Sequence, residues 1–389
     1  MILIKKNIKT ILALFLLTVI FILPIGSTTK YKASGFNDSD LTGINNESFI
    51  KIIHQDKIKK IDSILKEKEK RYSFNGNVLV SYHGKILYNN SLGYADPRQK
   101  TKLTPEHSFQ LASISKQFTA VAILILKQQG ALNLTDSVIR FLPDFPYKNI
   151  TVEMLLNHTS GLPNYMWLLE HKWDRQSAPD NQELIKLLAK HDLNLYFKPG
   201  SRYNYSNTGY AVLASIIEKT SNKTYEEFLN KKIFEPLGMN HTFVGNNNHD
   251  FNTKITDGFR RWGRSYISIP KTINDNIYGD KGIYSSTGDL YKWDQALYEE
   301  KLIPKKLLEK AFTPLMLHGK YKIRYGYGFR IKDTEDGKIV YHNGRWNGFR
   351  TSFHRYLEDT TSIVILNNTS RSINSRIIDD LETILFEKS

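Results

Sequence analysis

The sequence contains no cysteine in its 389 residues. This absence excludes a thiol nucleophile, a disulfide framework, and zinc or iron–sulfur sites held by cysteine thiolates. It does not decide the compartment, because an exported protein need not carry disulfides. Hydrophobic residues make up 40% of the chain, which is enough apolar material to bury the core of a large domain.

Acidic residues are few relative to basic ones. The chain has 39 Asp and Glu against 54 Lys and Arg, and its net charge is +15. This surplus favours anionic surroundings such as acidic lipid headgroups or an anionic envelope polymer, although a basic surface without a specific partner fits equally well. No zinc finger, RNA-recognition signature or long basic run is present, so nucleic acid is not expected as a partner. We also expect neither a metal nor a cofactor.

The longest apolar run, Ile11 to Leu23, has 13 residues and is interrupted only by Thr18. It follows a short basic stretch and is shorter than the roughly 20 residues that a bilayer span needs, which is typical of an export signal. We therefore predict a signal peptide or an uncleaved membrane anchor at residues 1–29, a linker at 30–47 and a catalytic domain at 48–389. The protein is expected in the periplasm, the cell envelope or the extracellular space.

Strand patterns occur near both ends of the predicted domain. An amphipathic helix at about 49–70 precedes a β-hairpin at 76–89, and further strands are predicted at 326–332, 338–341, 348–356 and 361–367 before a closing helix at about 373–386. This order indicates an α+β fold with one antiparallel sheet assembled from both ends. A mainly helical lobe, at about 128–290, is inserted between them, and a site in the groove between lobe and sheet is expected.

Ser113 and Lys116 are the first candidate catalytic pair. Three positions separate them, so on a helix a hydroxyl and its potential base share one face. The residues from Phe118 to Leu126 are almost wholly apolar, which predicts a buried helix. The spacing alone is not specific, because it also occurs at Ser27/Lys30, Ser48/Lys51, Ser63/Lys66 and Ser268/Lys271.

Two further polar segments follow in the chain. Tyr205-Ser206-Asn207 precedes a predicted helix, where polar residues either cap the helix or project into the groove. His342-Asn343-Gly344 follows a predicted strand, where a glycine lets a ligand approach the backbone, although a plain β-turn is the alternative. His158 lies in a Ser/Thr/Gly turn, and we expect it to have a structural hydrogen-bonding role.

Taken in order, SISK at Ser113, YSN at Tyr205 and HNG at His342 resemble the serine β-lactamase and penicillin-binding-protein superfamily. The likeness is greatest to its class C branch of β-lactamases, DD-peptidases and esterases. It covers about residues 71–370 and includes the flanking segments LLNHTSGLP (155–163) and IFEPLGM (233–239).

The resemblance implies a five-stranded antiparallel sheet flanked by helices, joined to a helical lobe. It implies an acyl-enzyme on Ser113, with Lys116 and Tyr205 sharing the base and acid roles. It further implies a set of substrate-binding residues: Asn207 at the substrate amide, His342 in binding and proton transfer, Asn343 and Gly344 beside it, and Arg345, whose backbone N–H would join that of Ser113 in an oxyanion hole. The expected activity is that of an exported serine hydrolase acting on a D-alanyl peptide, a β-lactam or an envelope ester.

The sequence departs from the family pattern at three places. His342 replaces the usual Lys, Asn343 replaces the usual Thr or Ser, and Asp280-Lys281 stand where relatives often have small residues or glycine. The missing hydroxyl at 343 indicates a preference for neutral or ester-linked acyl groups, unless Arg345 binds a carboxylate. A non-catalytic penicillin-binding-like envelope protein and a membrane-anchored structural factor remain as alternatives, and the complete Ser/Lys/Tyr/Asn/His set argues against both.

Overall fold

A computed structural model describes residues 46–245, 254–263 and 265–386, with side chains from residue 54 onward. The chain divides after Lys60 into two compact units. The described part of the first unit is the beginning of a helix, and the fold described below belongs to residues 61–386. The predicted signal at 1–29 and most of the predicted linker lie outside the described residues. Within the described ranges, none of the helices combines the length and apolar character that crossing a bilayer requires.

Ten α-helices lie within the described residues: α1 (Asn46–Tyr72), α2 (Ser115–Gln128), α3 (Val152–Leu156), α4 (Tyr165–Lys172), α5 (Asn181–His191), α6 (Asn207–Ser221), α7 (Tyr225–Leu229), α8 (Thr287–Tyr298), α9 (Lys305–Ala311) and α10 (Asn374–Phe386). A 3₁₀ turn, Ala112–Ile114, leads directly into α2.

The strands of the described ranges are β1 (Gly76–Tyr82), β2 (Lys85–Leu92), β3 (Tyr94–Asp96), β4 (Thr101–Lys102), β5 (Phe109–Gln110), β6 (Phe243–Val244), β7 (Phe259–Trp262), β8 (Ser265–Ser268), β9 (Ile283–Ser285), β10 (Leu315–Leu317), β11 (Tyr321–Ile323), β12 (Arg330–Thr334), β13 (Gly337–Trp346), β14 (Phe349–Tyr356) and β15 (Thr361–Asn367).

The main sheet has six strands in the order β12-β13-β14-β15-β1-β2, and all neighbours are antiparallel. The two ends of the domain meet where β15 pairs with β1, as the sequence predicts. The predicted α+β class is confirmed, but the sheet has one strand more than the five expected. The five strands were implied by the resemblance, whereas the hairpin and the four later strands predicted from the residue pattern already amount to six. The strand at one edge, β12, pairs with β13 at all five of its residues.

Two of the predicted strand boundaries are wrong for local reasons. β12 begins at Arg330 and not at Gly326, because the Gly326 N–H donates to the Phe329 carbonyl and closes a turn. Gly328 in that turn has a φ of +79°, and a Cβ there would lie 2.6 Å from the Lys116 carbonyl oxygen. The predicted strand at 338–341 continues to Trp346 as β13, where His342 pairs with Phe353. The segment His342-Asn343-Gly344, the third motif in chain order, therefore lies inside a strand and not in a β-turn.

The core lies around the central strands. β1 and β15 are buried at every position, which requires cover on both faces of the sheet. α8 packs against β1 and β15, and α10 packs against β14 and β15. After the 3₁₀ turn at Ala112–Ile114, α2 packs against α6, and its residues from Ser115 to Leu126 are all buried. The helix that follows Ser113 is therefore embedded, as its apolar sequence predicts.

Candidate active site

Ser113 lies in the middle of the 3₁₀ turn that precedes α2, and it is half-buried while both neighbours are buried. The preceding residue, Ala112, has a φ of +50°, a backbone conformation that residues other than glycine rarely adopt. Such strained backbone persists only where the surroundings hold it in place. This turn, Ala112–Ile114, is called the catalytic turn below, and it directs the Ser113 side chain out of the core at one fixed position.

The neighbouring strands hold this turn. The Leu111 N–H donates to the Ile283 carbonyl at 2.8 Å, and the Thr351 hydroxyl donates to the Leu111 carbonyl at 2.7 Å. Gly344 on β13 crosses directly over the turn, since a Cβ there would lie 2.2 Å from the Leu111 oxygen. The glycine of the third motif thus brings β13 against the backbone beside Ser113.

Lys116 is fully buried, and its Nζ donates three hydrogen bonds. The acceptors are Ser113 Oγ at 3.2 Å, Asn207 Oδ1 at 2.8 Å and the Asp280 carbonyl oxygen at 2.8 Å. An ammonium group has three N–H donors, so all of them are used. Burial lowers the pKa of Lys116 to about 8, with Asp280 opposing the shift and Arg330 adding to it. A lysine with this pKa is neutral often enough to act as a base.

Tyr205 completes the reacting group. Its hydroxyl interacts with that of Ser113, and its ring centroid lies 5.0 Å from Lys116 Nζ. Burial raises the pKa of Tyr205, and the phenol therefore keeps its proton near neutral pH. Of the two candidate bases, Lys116 is the one that loses its proton more easily, and Tyr205 is suited to donating one.

The second motif, Tyr205-Ser206-Asn207, has both of the roles considered for it, helix capping and contact with the site. Ser206 caps α6, because its hydroxyl accepts from the Gly209 N–H at 3.1 Å. Asn207, the first residue of α6, holds Lys116 with its side-chain oxygen. Capping therefore describes the middle residue of the motif, whereas the outer two contact the Ser113–Lys116 pair.

His342 is buried on β13 with both ring nitrogens occupied. Nδ1 donates to the Asn343 carbonyl at 2.9 Å, and Nε2 accepts from the Tyr325 hydroxyl at 3.2 Å, a tautomer assigned from these partners. Burial, together with Lys116 and Arg330, lowers the pKa of His342 well below its usual range. It therefore presents a neutral ring 6.0 Å from that of Tyr205, where the family usually has a cation.

Asn343 and Arg345 alternate with His342 and Gly344 along β13, and both are exposed. Successive residues of a strand point to opposite faces, so these side chains lie on the face away from the catalytic turn. The Asn343 side-chain oxygen contacts His354 Nε2 at 3.3 Å, and Arg345 stands opposite Arg350. The structure does not bring their side chains to Ser113, and for Arg345 the backbone N–H remains the predicted contribution.

His158 has the structural role that the sequence predicts. Its Nδ1 accepts from the Ser206 N–H at 3.1 Å, and its carbonyl accepts from the Asn204 N–H at 2.9 Å. The ring packs between Tyr205, at a centroid distance of 4.4 Å, and Tyr325, at 4.6 Å. His158 therefore shapes the loop that carries the second motif.

Sequence reasoning missed Tyr325 and Arg330. The Arg330 guanidinium lies 5.4 Å from the Tyr205 ring centroid and 6.0 Å from that of Tyr325. Arg330 takes part in none of the ion pairs found in the described part of the chain. No motif marks either residue. Arg330 begins β12, which pairs with the strand that carries His342, and Tyr325 forms an antiparallel bridge with Arg330. Among the described residues, no group of three or more His, Asp or Glu is arranged to hold a metal ion.

Similarity to known proteins shows the family of this chain. The family described as Beta-lactamase matches residues 61–386. Penicillin-binding protein 4* of Bacillus subtilis (strain 168) is 37% identical over 352 residues, which are 85% of this chain and 77% of that protein.

Two solved structures share the fold. The octameric penicillin-binding protein homologue from Pyrococcus abyssi has a TM-score of 0.74 and 29% identity, over 85% of this chain and 78% of that one. FmtA from Staphylococcus aureus has a TM-score of 0.73 and 25% identity, over 85% and 87%. The chain therefore belongs to the β-lactamase family of serine hydrolases, whose members include penicillin-binding proteins.

Proposed function

We propose that this protein is an exported serine hydrolase that forms an acyl-enzyme on Ser113 from an ester or amide substrate. One observation carries the proposal: a fully buried Lys116, with its pKa lowered to about 8, donates a hydrogen bond to the Ser113 hydroxyl. A serine needs an adjacent base to become nucleophilic, and this amine is within reach of the proton it must accept.

In the first half-reaction, neutral Lys116 takes the Ser113 hydroxyl proton as Oγ bonds to the substrate carbonyl carbon. The carbonyl oxygen becomes an oxyanion, for which the backbone N–H groups of Ser113 and Arg345 are the expected donors. The intermediate collapses, the carbon–leaving-group bond breaks, and the leaving group takes a proton relayed through Tyr205. Water then attacks the acyl group, its proton returns through the same groups, and Ser113 is released.

The name Penicillin-binding protein 4* favours a β-lactam among the candidate substrates, because penicillin is the ligand that it names. Penicillins and D-alanyl-D-alanine peptides both carry a carboxylate on the leaving-group side of the scissile amide. The site therefore needs a cation on that side if it prefers such substrates.

Arg330 offers that cation and changes the expectation drawn from Asn343. It is half-buried beside Tyr205, and among the described residues it has no carboxylate partner, so its charge is available to a ligand. Arg345, the cation considered from the sequence, is exposed on the other face of β13. We therefore propose a substrate with a free carboxylate, bound through Arg330.

The first test is turnover of a D-alanyl ester and a D-alanyl-D-alanine peptide by three proteins. Wild type should hydrolyse at least one of them, and Ser113→Ala should lose about 10⁶-fold in kcat, as nucleophile variants do. Ser63→Ala is the matched control: Ser63 and Lys66 have the same spacing on α1, but Ser63 is exposed and Lys66 pairs with Asp62. A properly folded wild type that turns over no ester, peptide or β-lactam would favour the non-catalytic alternative.

The second test addresses the substrate carboxylate. The ratio of kcat/KM for a D-alanyl-D-alanine peptide to that for its C-terminal amide should exceed one. Arg330→Ala should reduce this ratio by about 10- to 100-fold, the usual value of a charge-assisted hydrogen bond. Arg345→Ala should leave it unchanged. A preference for the amide or methyl ester in wild type would restore the expectation based on Asn343.

Export and an anionic envelope partner complete the proposal. They rest on the basic, then apolar, sequence of residues 1–29 and on the net charge of +15. Fractionation of expressing cells should recover the protein outside the cytoplasm. Deletion of residues 1–29 should retain it inside, and equal distribution of the two forms would contradict export.

A further inference from the structure

A buried charged cluster lies directly behind the catalytic lysine. Asp280 is 1% exposed, Lys281 is 2% exposed and Tyr165 on α4 is fully buried. Lys281 Nζ donates to the Tyr165 hydroxyl at 2.6 Å and to the Ile277 carbonyl at 3.0 Å, and it lies 3.5 Å from the Asp280 carboxylate. The Tyr165 hydroxyl donates to that carboxylate, with the two oxygens at 3.2 and 3.3 Å.

This cluster is attached to Lys116 through the backbone. The carbonyl of Asp280, the residue that carries the buried carboxylate, accepts one of the three Lys116 hydrogen bonds, at 2.8 Å. A buried ion pair is costly to desolvate and adds little net stability compared with apolar residues of the same volume. Gly279 and Gly282, which flank the pair, both have positive φ values, so the segment has a fixed and unusual backbone path. Packing alone does not account for charges at these two positions.

We propose that Asp280 and Lys281, bridged by Tyr165, form a positioning unit that holds the Asp280 carbonyl on Lys116 and determines the charge that Lys116 carries. The proposal rests on the function proposed above, because it assigns Lys116 the role of base. It concerns side chains that do not touch the reacting atoms. Asp280 and Lys281 are therefore positioning residues, and Lys116 remains the group that moves the proton.

Several other charged and titratable groups surround Lys116. Arg330 on β12, His342 on β13, His158 after α3 and Tyr205 before α6 all interact with it or with its neighbours. Tyr210 on α6 presents its ring 5.6 Å from Lys116 Nζ, and Asp275 acts on Lys281. Of the groups that shift the pKa of Lys116, Asp280 is the anion that favours the ammonium form, whereas Arg330 opposes it.

Asp280 and Lys281 have opposite effects on the charge of Lys116, so the two single variants should shift the pH dependence of acylation in opposite directions. Removing the negative charge with Asp280→Asn leaves Lys116 beside the positive Lys281, which disfavours its ammonium form. Removing the positive charge with Lys281→Met leaves the Asp280 carboxylate without its compensating cation, which favours the ammonium form of Lys116. The base should thus become available at lower pH in the first variant and only at higher pH in the second.

The experiment measures the rate of Ser113 acylation by an activated ester as a function of pH, read by intact mass. We expect the midpoint of the rise in rate to fall by about one pH unit in Asp280→Asn and to rise by about one unit in Lys281→Met, the size of shift that a charge at this range produces. The double variant Asp280→Asn/Lys281→Met, which buries no unpaired charge, should fold and have a midpoint between those of the two single variants.

A second buried ion pair supplies the control. Asp294 on α8 and Arg355 on β14 are both fully buried, and Asp294→Asn should lower stability without moving the midpoint. Tyr165→Phe should shift the midpoint less than either charge change, because both charges remain. Equal midpoints in wild type and in the single and double Asp280 and Lys281 variants would overturn the proposal, as would shifts in the same direction. Absence of acylation in wild type would instead contradict the proposed function.

Discussion

At the scale of single residues, Lys116 combines complete burial with three hydrogen bonds, and its pKa of about 8 makes acylation dependent on pH. Below this pKa the amine is protonated in the folded enzyme and cannot accept the Ser113 proton. The rate of acylation should therefore rise tenfold per pH unit up to about pH 8 and then level off. A stopped-flow pH profile with an activated ester measures this directly.

Lys116→Arg is the control for that profile, because arginine stays protonated at every accessible pH. Its rate should be lower by about 10²–10⁴-fold, the range for general acid–base groups, and should show no rise near pH 8. A wild-type profile that is flat from pH 6 to 9 would remove Lys116 from the role of base.

Tyr325 is the residue that holds His342, since its hydroxyl occupies the imidazole Nε2. Tyr325→Phe keeps the buried ring but releases the imidazole, so the third motif loses its fixed geometry. We expect kcat/KM to fall by up to about 10²-fold, the cost of misplacing a group by about 1 Å. Tyr327→Phe is the matched control, because the Tyr327 hydroxyl bonds to Glu153 and has no contact with His342. Equal effects of the two substitutions would mean that Tyr325 acts through general stability.

At the scale of elements, β13 and the catalytic turn must approach so closely that only glycine fits between them. A Cβ at Gly344 would lie 2.2 Å from both the Leu111 carbonyl oxygen and the Thr351 hydroxyl. Gly344→Ala should therefore push β13 away from the turn, lower the free energy of unfolding by about 1–3 kcal/mol and lower the acylation rate by about 10²-fold.

Gly288→Ala provides the comparison within the same fold. Gly288 lies in the first turn of α8 with an ordinary helical φ, and its added Cβ would meet nothing closer than 4.0 Å. This substitution should leave activity unchanged and stabilise the protein by about 0.4–1 kcal/mol through the unfolded state. Thermal unfolding and the acylation rate are measured on both variants. An effect seen only in Gly344→Ala is due to crowding at the site, whereas an effect seen in both is due to the replacement of a glycine. Full activity in Gly344→Ala would show that the close approach is dispensable.

The elements were predictable to the extent that their signals are local. The apolar run of α2 and the alternation of the sheet strands follow from side-chain periodicity, and so does the assembly of the sheet from both ends of the domain. The start of β12 was not predictable, since the turn at Gly326–Phe329 depends on how closely that segment passes α2. The position of the third motif inside β13 depends likewise on its pairing with β14.

The same distinction applies to the site. Ser113, Lys116, Tyr205 and Asn207 belong to short motifs, and the structure brings them together around one amine. The contacts of Arg330 with Tyr205, of Tyr325 with His342 and of Lys281 with Tyr165 each join segments that are separate in the sequence. No local pattern in the sequence predicts these contacts. The exposure of Arg345 follows from strand alternation, because that property depends only on position within the strand.

At the scale of the whole molecule, the buried Asp294–Arg355 pair ties α8 to β14 on the sheet. The Arg355 Nε donates to the Asp294 carboxylate at 2.5 Å, and both side chains are inaccessible to solvent. Asp294→Asn leaves the guanidinium without a counter-charge and should lower the free energy of unfolding by about 3–5 kcal/mol. Denaturant unfolding measures this loss, and the acylation rate per folded molecule should not change. A neutral effect would mean that Arg355 finds another partner.

The measurement that tests the account most directly is the mass of the intact protein after exposure to a slow-turnover β-lactam or an activated ester. We expect one acyl group per chain, located by peptide mapping on the peptide that contains Ser113. The adduct should be absent from Ser113→Ala and undiminished in Ser63→Ala. An adduct on another residue, or labelling of Ser113→Ala at the wild-type rate, would contradict the assignment of Ser113 as the nucleophile.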